Sequence, residues 1–278
     1  MWYNEAGFAE NPFDDSPDKR LVGYEKILND VTYNINAGNI IFLEGKNGFG
    51  KTSILKRATQ QFMGFGRVAY IECNKIKELN IENVLTGKYS WTERLFNKYP
   101  RGMIVLIDDV QELDKKNTER LKYFYDQDYI KAIVFAGENY NKLNFSESLK
   151  DRVKNVIKLP LLNDYEAVDL INSRLDGKEL IPADVAKEIF ERVDKNPGEF
   201  LRICGELCKN AVEMKEEKVM IEHVNNVLPG KKGISAKKDV EKSKKANEKP
   251  KNIVKKKEEG SQELKIIYEK EDIAEKYY

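Results

Sequence analysis

Sulfur and imidazole side chains are scarce in this sequence. Its 278 residues include three cysteines (Cys73, Cys204 and Cys208) and one histidine, His223. An odd, sparse set of cysteines argues against a disulfide framework and is typical of a reducing compartment. Cys204 and Cys208 are four residues apart and could share a helix face, but the single distant histidine leaves too few ligands for zinc. We therefore predict that the cysteines are core residues and not metal ligands.

Long apolar runs are also absent. No stretch reaches the roughly 20 apolar residues of a membrane-spanning helix. The first residues lack the basic segment and apolar stretch of a signal peptide. We therefore expect a cytoplasmic protein with no membrane span.

The charge is nearly balanced but unevenly distributed. The formal net charge is +1, whereas residues 231–259 contain twelve lysines and five acidic residues. This stretch has little to bury, which is typical of disorder. We predict a disordered lysine-rich linker over 230–262. Residues 263–278 regain leucine, isoleucine and tyrosine, which indicates a short peptide that binds a protein partner.

Short apolar runs alternate with helical stretches in the first half of the chain. The runs cover residues 40–43, 67–72, 103–107, 132–136 and 156–159. Continuous apolar strands of this kind form parallel sheets that are covered by helices on both faces. We predict an α/β, three-layer core over residues 21–162 that opens with a helix at 21–35, after a loop-like N-terminal extension at 1–20.

Strand patterns are absent after residue 162. Four helical stretches are predicted instead, at residues 164–175, 182–193, 198–215 and 221–228, with Pro182 in the first turn of the second. We predict that residues 163–229 form a small helical lid.

A glycine-rich segment follows the first predicted strand and precedes a predicted helix: Gly45-Lys46-Asn47-Gly48-Phe49-Gly50-Lys51-Thr52. It matches the P-loop pattern G-x-x-x-x-G-K-[ST]. Its glycines let the backbone curl so that amide groups point at phosphate oxygens, and the helix N-terminus adds a favourable dipole. We predict that this segment and Ser53 bind ATP, that Lys51 reaches the β- and γ-phosphates, and that Thr52 ligates Mg²⁺.

Two adjacent carboxylates, Asp108 and Asp109, end the third predicted strand, at the edge where ligands of parallel sheets bind. We predict that Asp108 holds Mg²⁺ directly or through water, and that Asp109 orients or polarises the attacking water. Aspartate is shorter than the glutamate often found in the second place, which is compatible with slow hydrolysis. The alternative is that both acids merely cap a strand.

Polar residues also follow the fourth predicted strand and precede the fifth. Glu138 or Asn139 could contact the γ-phosphate, and the spacing does not decide between them; a simple turn is the alternative. Arg152 could supply the guanidinium that a neighbouring subunit offers to a phosphoryl-transfer transition state. It could equally be an ordinary surface arginine.

Together these residues resemble the AAA+ superfamily of P-loop ATPases over about residues 7–228. Within the superfamily they are most similar to the ATPases of the ExeA kind and to the archaeal origin-recognition initiators. The likeness is carried by Gly7-Phe8 with Asn11-Pro12-Phe13, by residues 107–113, 149–162 and 166–175, and by Asn196-Pro197-Gly198 with Arg202 and Cys208.

The resemblance implies further roles. Val22 and Gly23 would help to form the adenine pocket, Arg152 would act in trans, and the protein would assemble into a homo-oligomer, either a ring or a dimer. One departure concerns Gly198, since that group usually has an arginine directly after the Asn-Pro pair. Arg202, one helical turn further, could sense phosphate instead, or the lid couples weakly to nucleotide.

We interpret the chain as an ATPase switch or motor with ATP and Mg²⁺ as cofactors, and with DNA transactions such as replication, repair or transposition as its setting. The paired lysines of the tail could neutralise DNA phosphates. The alternatives are a scaffold that binds ATP structurally, and a secretion or membrane-associated ATPase that acts on a protein partner. A small-molecule kinase agrees less well with the predicted lid.

Overall fold

A computed structural model describes residues 1–14, 21–63, 67–75, 80–86 and 101–228 of the protein. The lysine-rich linker and the partner-binding peptide predicted at 230–262 and 263–278 lie outside the described residues. Within the described part, no helix combines the length and the apolar character that crossing a bilayer requires.

Five strands and ten α-helices are described in these ranges. The strands are β1 (Ile40–Glu44), β2 (Val68–Glu72), β3 (Met103–Asp108), β4 (Ile130–Gly137) and β5 (Val153–Lys158). The helices are α1 (Trp2–Glu5), α2 (Glu25–Asn36), α3 (Lys51–Phe62), α4 (Ile81–Thr86), α5 (Lys115–Asp126), α6 (Glu147–Lys150), α7 (Asp164–Arg174), α8 (Ala183–Arg192), α9 (Pro197–Glu213) and α10 (Ile221–Val227).

The strands form one parallel sheet in the order β2-β3-β4-β1-β5. The central strands β1, β3 and β4 are almost fully buried, as continuous apolar strands between two helical layers must be. The predicted α/β class, the five-stranded parallel sheet and its flanking helices are therefore confirmed.

Several predicted boundaries were wrong. The helix predicted from residue 21 begins at Glu25, and Pro182 lies just before α8 instead of in its first turn. The fifth strand begins at Val153, not 156. The N-terminal extension is not loop throughout, because α1 forms near its start.

Two hydrophobic clusters pack on opposite faces of the sheet. One joins the sheet to α2, α3 and the C-terminal helices, where Cys204 and Cys208 are fully buried. The other joins the sheet to α4 and α5 and includes Cys73. Because the first cluster continues from the sheet into α7–α9, those helices are held beside the carboxyl edge of the strands.

The N-terminal segment 1–14 packs on the C-terminal helices. The Lys178 ammonium donates to the carbonyls of Ala6 and Gly7 at 2.8 and 2.7 Å. A guanidinium nitrogen of Arg174 donates to the Asp14 carbonyl at 2.8 Å. These contacts place the segment next to the helices that border the nucleotide cavity described below.

Candidate functional site

The glycine-rich loop connects β1 to α3 at the carboxyl edge of the sheet. Gly48 and Gly50 have φ angles of +81° and +84°, a conformation that residues with a side chain rarely adopt. The Gly45 amide donates to the Gly137 carbonyl at 3.1 Å, which ties the start of the loop to the end of β4. The curled backbone and the N-terminus of α3 form a cradle that fits phosphate oxygens.

Lys51 is buried inside this loop, with only 6% of its surface exposed. Its ammonium donates to the carbonyls of Gly45 and Lys46, at 2.8 and 3.1 Å. Burial lowers the pKa of Lys51, while the charges of Asp108, Asp109 and Glu138 oppose that shift. The ammonium is thus held by two carbonyls that anionic phosphate oxygens could replace.

Thr52 and Asp108 meet across the cradle. The Thr52 hydroxyl donates to Asp108 Oδ2 at 2.6 Å, and the backbone amide of Asp109 donates to Asp108 Oδ1 at 3.1 Å. Burial raises the pKa of Asp108, and its hydrogen bonds counteract this. A hydroxyl and a carboxylate side by side are the hard oxygen ligands that Mg²⁺ prefers, so the donor set fits this ion.

Asp109 has a φ of +53° and begins the 3₁₀ turn Val110–Glu112. Its Oδ2 accepts a hydrogen bond from the amide of Asn74 at 2.6 Å, and its Oδ1 accepts one from the amide of Gln111 at 3.4 Å. The left-handed backbone turns the side chain towards the cavity, which Asp109 and Asn74 both line.

Glu138 and Asn139 follow β4 but do not line the cavity. The side chain of Asn139 accepts a hydrogen bond from the Asn141 amide at 3.0 Å and so caps a 3₁₀ turn. Glu138 is exposed, although its charge acts on Lys51. The structure therefore brings Glu138 electrostatically close to the site and leaves Asn139 with a local structural bond.

An open cavity of about 320 Å³ extends from the P-loop to the C-terminal helices. Its walls combine polar and apolar side chains and come from both parts of the fold: Leu21, Val22, Tyr24, Asn47, Gly48, Gly50, Lys51, Thr52, Ser53, Lys56, Asn74, Asp109, Leu162, Leu170, Arg174, Pro197, Gly198 and Leu201. The polar end contains the phosphate cradle, and the apolar end suits a planar base.

The apolar end is formed by the loop before α2. Val22 is buried in the wall, and Gly23 has a φ of +78° with the Leu162 side chain so close that a Cβ would lie 2.5 Å from it. Burial, followed by the charge of Glu166, raises the pKa of Tyr24 to about 12. Gly23 thus lets the loop approach α7 closely and places Val22 and Tyr24 in the cavity.

The start of α9 contacts the P-loop directly. The Gly198 amide donates to the Gly48 carbonyl at 2.8 Å, and the Asn196 amide side chain donates to the Asn47 carbonyl at 3.0 Å. A Cβ at Gly198 would lie 2.9 Å from Gly48 Cα. This packing explains why no arginine stands at 198, since any side chain there would collide with the loop backbone.

Substitution of Gly198 with alanine is expected to weaken nucleotide binding about tenfold, because overpacking against backbone typically costs about 1–3 kcal/mol. Gly205→Ala is the matched control on the same helix, since its Cβ would meet only the Phe13 side chain, at 3.2 Å. Titration with a fluorescent ATP analogue measures the difference, and equal affinities for both variants would show that the contact is unimportant.

Arg152 lies away from the cavity. It directly precedes β5, at the amino edge of the sheet, and strand rise places this edge about 15 Å from the P-loop. Its guanidinium forms a two-pronged ion pair with Asp126 at 2.8 and 3.2 Å, which lowers the pKa of that carboxyl. Arg152 therefore does not reach the nucleotide cavity of its own chain.

Arg202 is also not brought to the cavity. Its guanidinium is exposed on α9 and pairs with Glu199 at 2.7 Å and with Glu206 at 3.3 Å. The cationic residue of the C-terminal helices that lines the cavity is instead Arg174 on α7.

Sequence reasoning missed several residues of the site, above all Tyr70, Asn74, Tyr24 and Arg174. The Tyr70 hydroxyl donates to Asp108 Oδ2 at 3.1 Å. Tyr70 and Asn74 lie on or after β2, so only the pairing of β2 with β3 brings them to the two aspartates. For Asn74 a signal was available, because it is a polar residue just after the end of an apolar strand, as Asp108 is at the end of β3.

Residues 37–166 match the family model described as an AAA domain. Cdc6p from Pyrobaculum aerophilum has a similar structure, with a TM-score of 0.63 and 17% identity over 79% of this chain and 70% of that chain. Drosophila ORC bound to DNA gives a TM-score of 0.58 and 16% identity over 82% of this chain and 64% of that chain. The Thermotoga maritima RuvB Holliday junction branch migration motor gives a TM-score of 0.59 and 15% identity over 79% of this chain and 73% of that chain. Among curated protein sequences there is no match.

Proposed function

We propose that this chain is a P-loop ATPase of the AAA+ superfamily and acts as a molecular switch that binds Mg-ATP and hydrolyses it. The observation that carries the proposal is that Lys51, Thr52 and Asp109 line one cavity, with the buried Asp108 carboxylate directly behind it in a 2.6 Å hydrogen bond with Thr52. A scaffold that used nucleotide only for stability would not need a second carboxylate facing the cavity.

Each residue has a distinct task in this proposal. Lys51 would exchange its two carbonyl partners for phosphate oxygens, and Thr52 and Asp108 would hold Mg²⁺. When bound, the metal neutralises charge that develops on the phosphates. Asp109 would accept the proton of the attacking water as the water oxygen forms its bond to the γ-phosphorus and the bond from that phosphorus to the ADP oxygen breaks. Asn74 holds Asp109 by a 2.6 Å hydrogen bond and so sets its orientation.

Helix α9 would report nucleotide occupancy to the rest of the chain. Because Asn196 and Gly198 bond to carbonyls of the P-loop, a shift of the loop on binding phosphate moves the start of α9. This coupling operates through backbone contact and needs no arginine at the start of the helix. We propose that residues 163–229 act as the lid and 21–162 as the core.

Assembly would complete the site. Arg152 is remote from its own cavity and lies on the exposed amino edge of β5, where it is accessible to a second copy. We propose that it enters the cavity of a neighbouring subunit of a homo-oligomer.

Nucleotide binding is the first test. Wild type is expected to bind a fluorescent ATP analogue, and Lys51→Ala is expected to lose at least about tenfold in affinity, because a hydrogen bond to a charged group is worth about 1.5–3 kcal/mol. Lys131→Ala is the matched control, because Lys131 is exposed on β4 away from the site. Equal affinities for all three proteins would refute the proposal.

DNA transactions are the proposed setting. Among the structures reported above, Drosophila ORC is bound to DNA and Thermotoga maritima RuvB is a Holliday junction branch migration motor. Residues 231–259 of this chain contain twelve lysines. Phosphate contacts by lysine make binding salt-dependent and insensitive to sequence. ATP turnover should then rise when double-stranded DNA is added. This stimulation should decrease as the salt concentration rises, and it should also decrease when the paired lysines are replaced by glutamine. Turnover indifferent to DNA would favour a protein partner instead.

A structural nucleotide-binding scaffold remains the second candidate. It is favoured by one observation, that both oxygens of Asp109 already accept hydrogen bonds, from Asn74 and Gln111. The two candidates differ in whether bound ATP turns over.

A further inference from the structure

Tyr70 lies in the middle of β2, the strand that pairs with β3. It is almost fully buried, with 7% of its surface exposed. Its hydroxyl lies 3.1 Å from Asp108 Oδ2 and 3.3 Å from Glu72 Oε1. A buried tyrosine hydroxyl needs a hydrogen-bond partner, and the nearer of the two here is the carboxylate of the site.

The oxygens of Asp108 accept three hydrogen bonds from three parts of the chain. Oδ2 accepts the hydroxyls of Thr52 and Tyr70, and Oδ1 accepts the amide of Asp109. If Thr52 turns its oxygen to Mg²⁺, the donors that remain on Asp108 are Tyr70 and the Asp109 amide, one for each oxygen. The tyrosine then fixes the rotation of the carboxylate about its Cβ–Cγ bond.

We propose that Tyr70 is a positioning residue that orients Asp108 towards the magnesium of bound nucleotide. This inference rests on the proposed function, since it requires that Asp108 holds Mg²⁺. Partners of metal-ligating carboxylates typically contribute 10–100-fold to metal affinity or activity. The consequence is a specific loss of Mg²⁺ affinity when the hydroxyl is removed, with the nucleotide cradle left intact.

The test is Tyr70→Phe, which removes one oxygen and keeps the ring. The Mg²⁺ concentration that half-saturates the fluorescence change of a bound ATP analogue should rise about tenfold, as that range implies. Affinity for the analogue without Mg²⁺ should stay as in wild type, and saturating Mg²⁺ should restore the wild-type signal and turnover. Loss of structure alone would not be rescued by magnesium.

Two further variants separate the alternatives. Tyr125→Phe removes a hydroxyl that donates to the Gly38 carbonyl at 2.7 Å, at the other edge of the sheet, and should leave the Mg²⁺ midpoint unchanged. Glu72→Gln tests whether the Tyr70 hydroxyl acts through its contact with Glu72 instead, and this variant should also leave the Mg²⁺ midpoint unchanged. Thermal unfolding of each variant checks that it folds.

The possible outcomes are distinguishable. If the Mg²⁺ midpoint of Tyr70→Phe equals that of wild type, the role of Tyr70 is overturned. The same follows if Glu72→Gln raises the Mg²⁺ midpoint as much as Tyr70→Phe does. In both cases Mg²⁺-dependent binding by wild type still supports the proposed function. If wild type binds the analogue without any dependence on Mg²⁺, both the role of Tyr70 and the proposed function are overturned. If Tyr70→Phe does not fold, Tyr70→Leu, which also has no hydrogen-bond donor, replaces it, and a midpoint equal to wild type then overturns the role.

Discussion

Asp109→Asn is expected to reduce ATP turnover by at least about a hundredfold while nucleotide binding is retained. The amide has nearly the same shape and tolerates the φ of +53°, but it cannot accept a proton from the attacking water. General bases typically contribute about 10²–10⁴-fold to rate. Steady-state turnover and titration with a fluorescent ATP analogue measure the two quantities separately.

Glu112→Gln is the matched control for this change. It removes the same charge from an exposed acid three residues further, which does not line the cavity. Its turnover should be close to that of wild type. If Asp109→Asn keeps wild-type turnover, Asp109 has no part in the chemistry, and the two hydrogen bonds it accepts are its structural role.

Arg152→Ala is expected to lower turnover on the order of a thousandfold, which is the lower end of the range for an arginine supplied by a neighbour. Nucleotide affinity should hardly change, because Arg152 does not reach the cavity of its own chain. Arg101→Ala serves as control, since Arg101 is also exposed at the amino edge of the sheet.

Mixing inactive variants tests whether Arg152 acts in trans. A subunit with Arg152→Ala retains an intact cavity, and a neighbour with Lys51→Ala retains Arg152. Turnover should therefore recover when the two proteins are combined. Two inactive proteins that stay inactive together, although they assemble, would contradict a role for Arg152 across the interface.

The sequence was informative where the chemistry is local. The P-loop lies within one continuous octet between a strand and a helix, and Asp108 directly ends an apolar strand, so both could be predicted without knowing the packing. The structure brings Lys51, Thr52, Asp108 and Asp109 to one edge of the sheet, as parallel strands require.

Some elements were missed because their patterns are mixed. Helix α5 buries Asn117 and Thr118 beside Leu121 and Phe124, so its inner face is half polar and its apolar period is weak. Strand β5 begins three residues before the predicted strand. Its first part was missed because Lys154 and Asn155, which are exposed on this edge strand, interrupt the apolar pattern.

Contacts between distant parts of the chain could not be predicted. The roles of Tyr70 and Asn74 depend on the register between β2 and β3. The glycine at 198 was noted as a departure from the AAA+ pattern, but its reason is a backbone contact with Gly48 that only the packing of α9 reveals. Arg202 was a candidate from helical spacing, and its two glutamate partners on the same helix keep it at the surface.

The most direct test of the central claim is the rate of phosphate release from ATP by the full chain, in saturating Mg²⁺, with Lys51→Ala as the blank. We predict turnover above the blank that disappears when Mg²⁺ is chelated. Tight ATP binding with phosphate release no faster than the blank, both with and without double-stranded DNA, would contradict the switch and leave the nucleotide as a structural component of a scaffold.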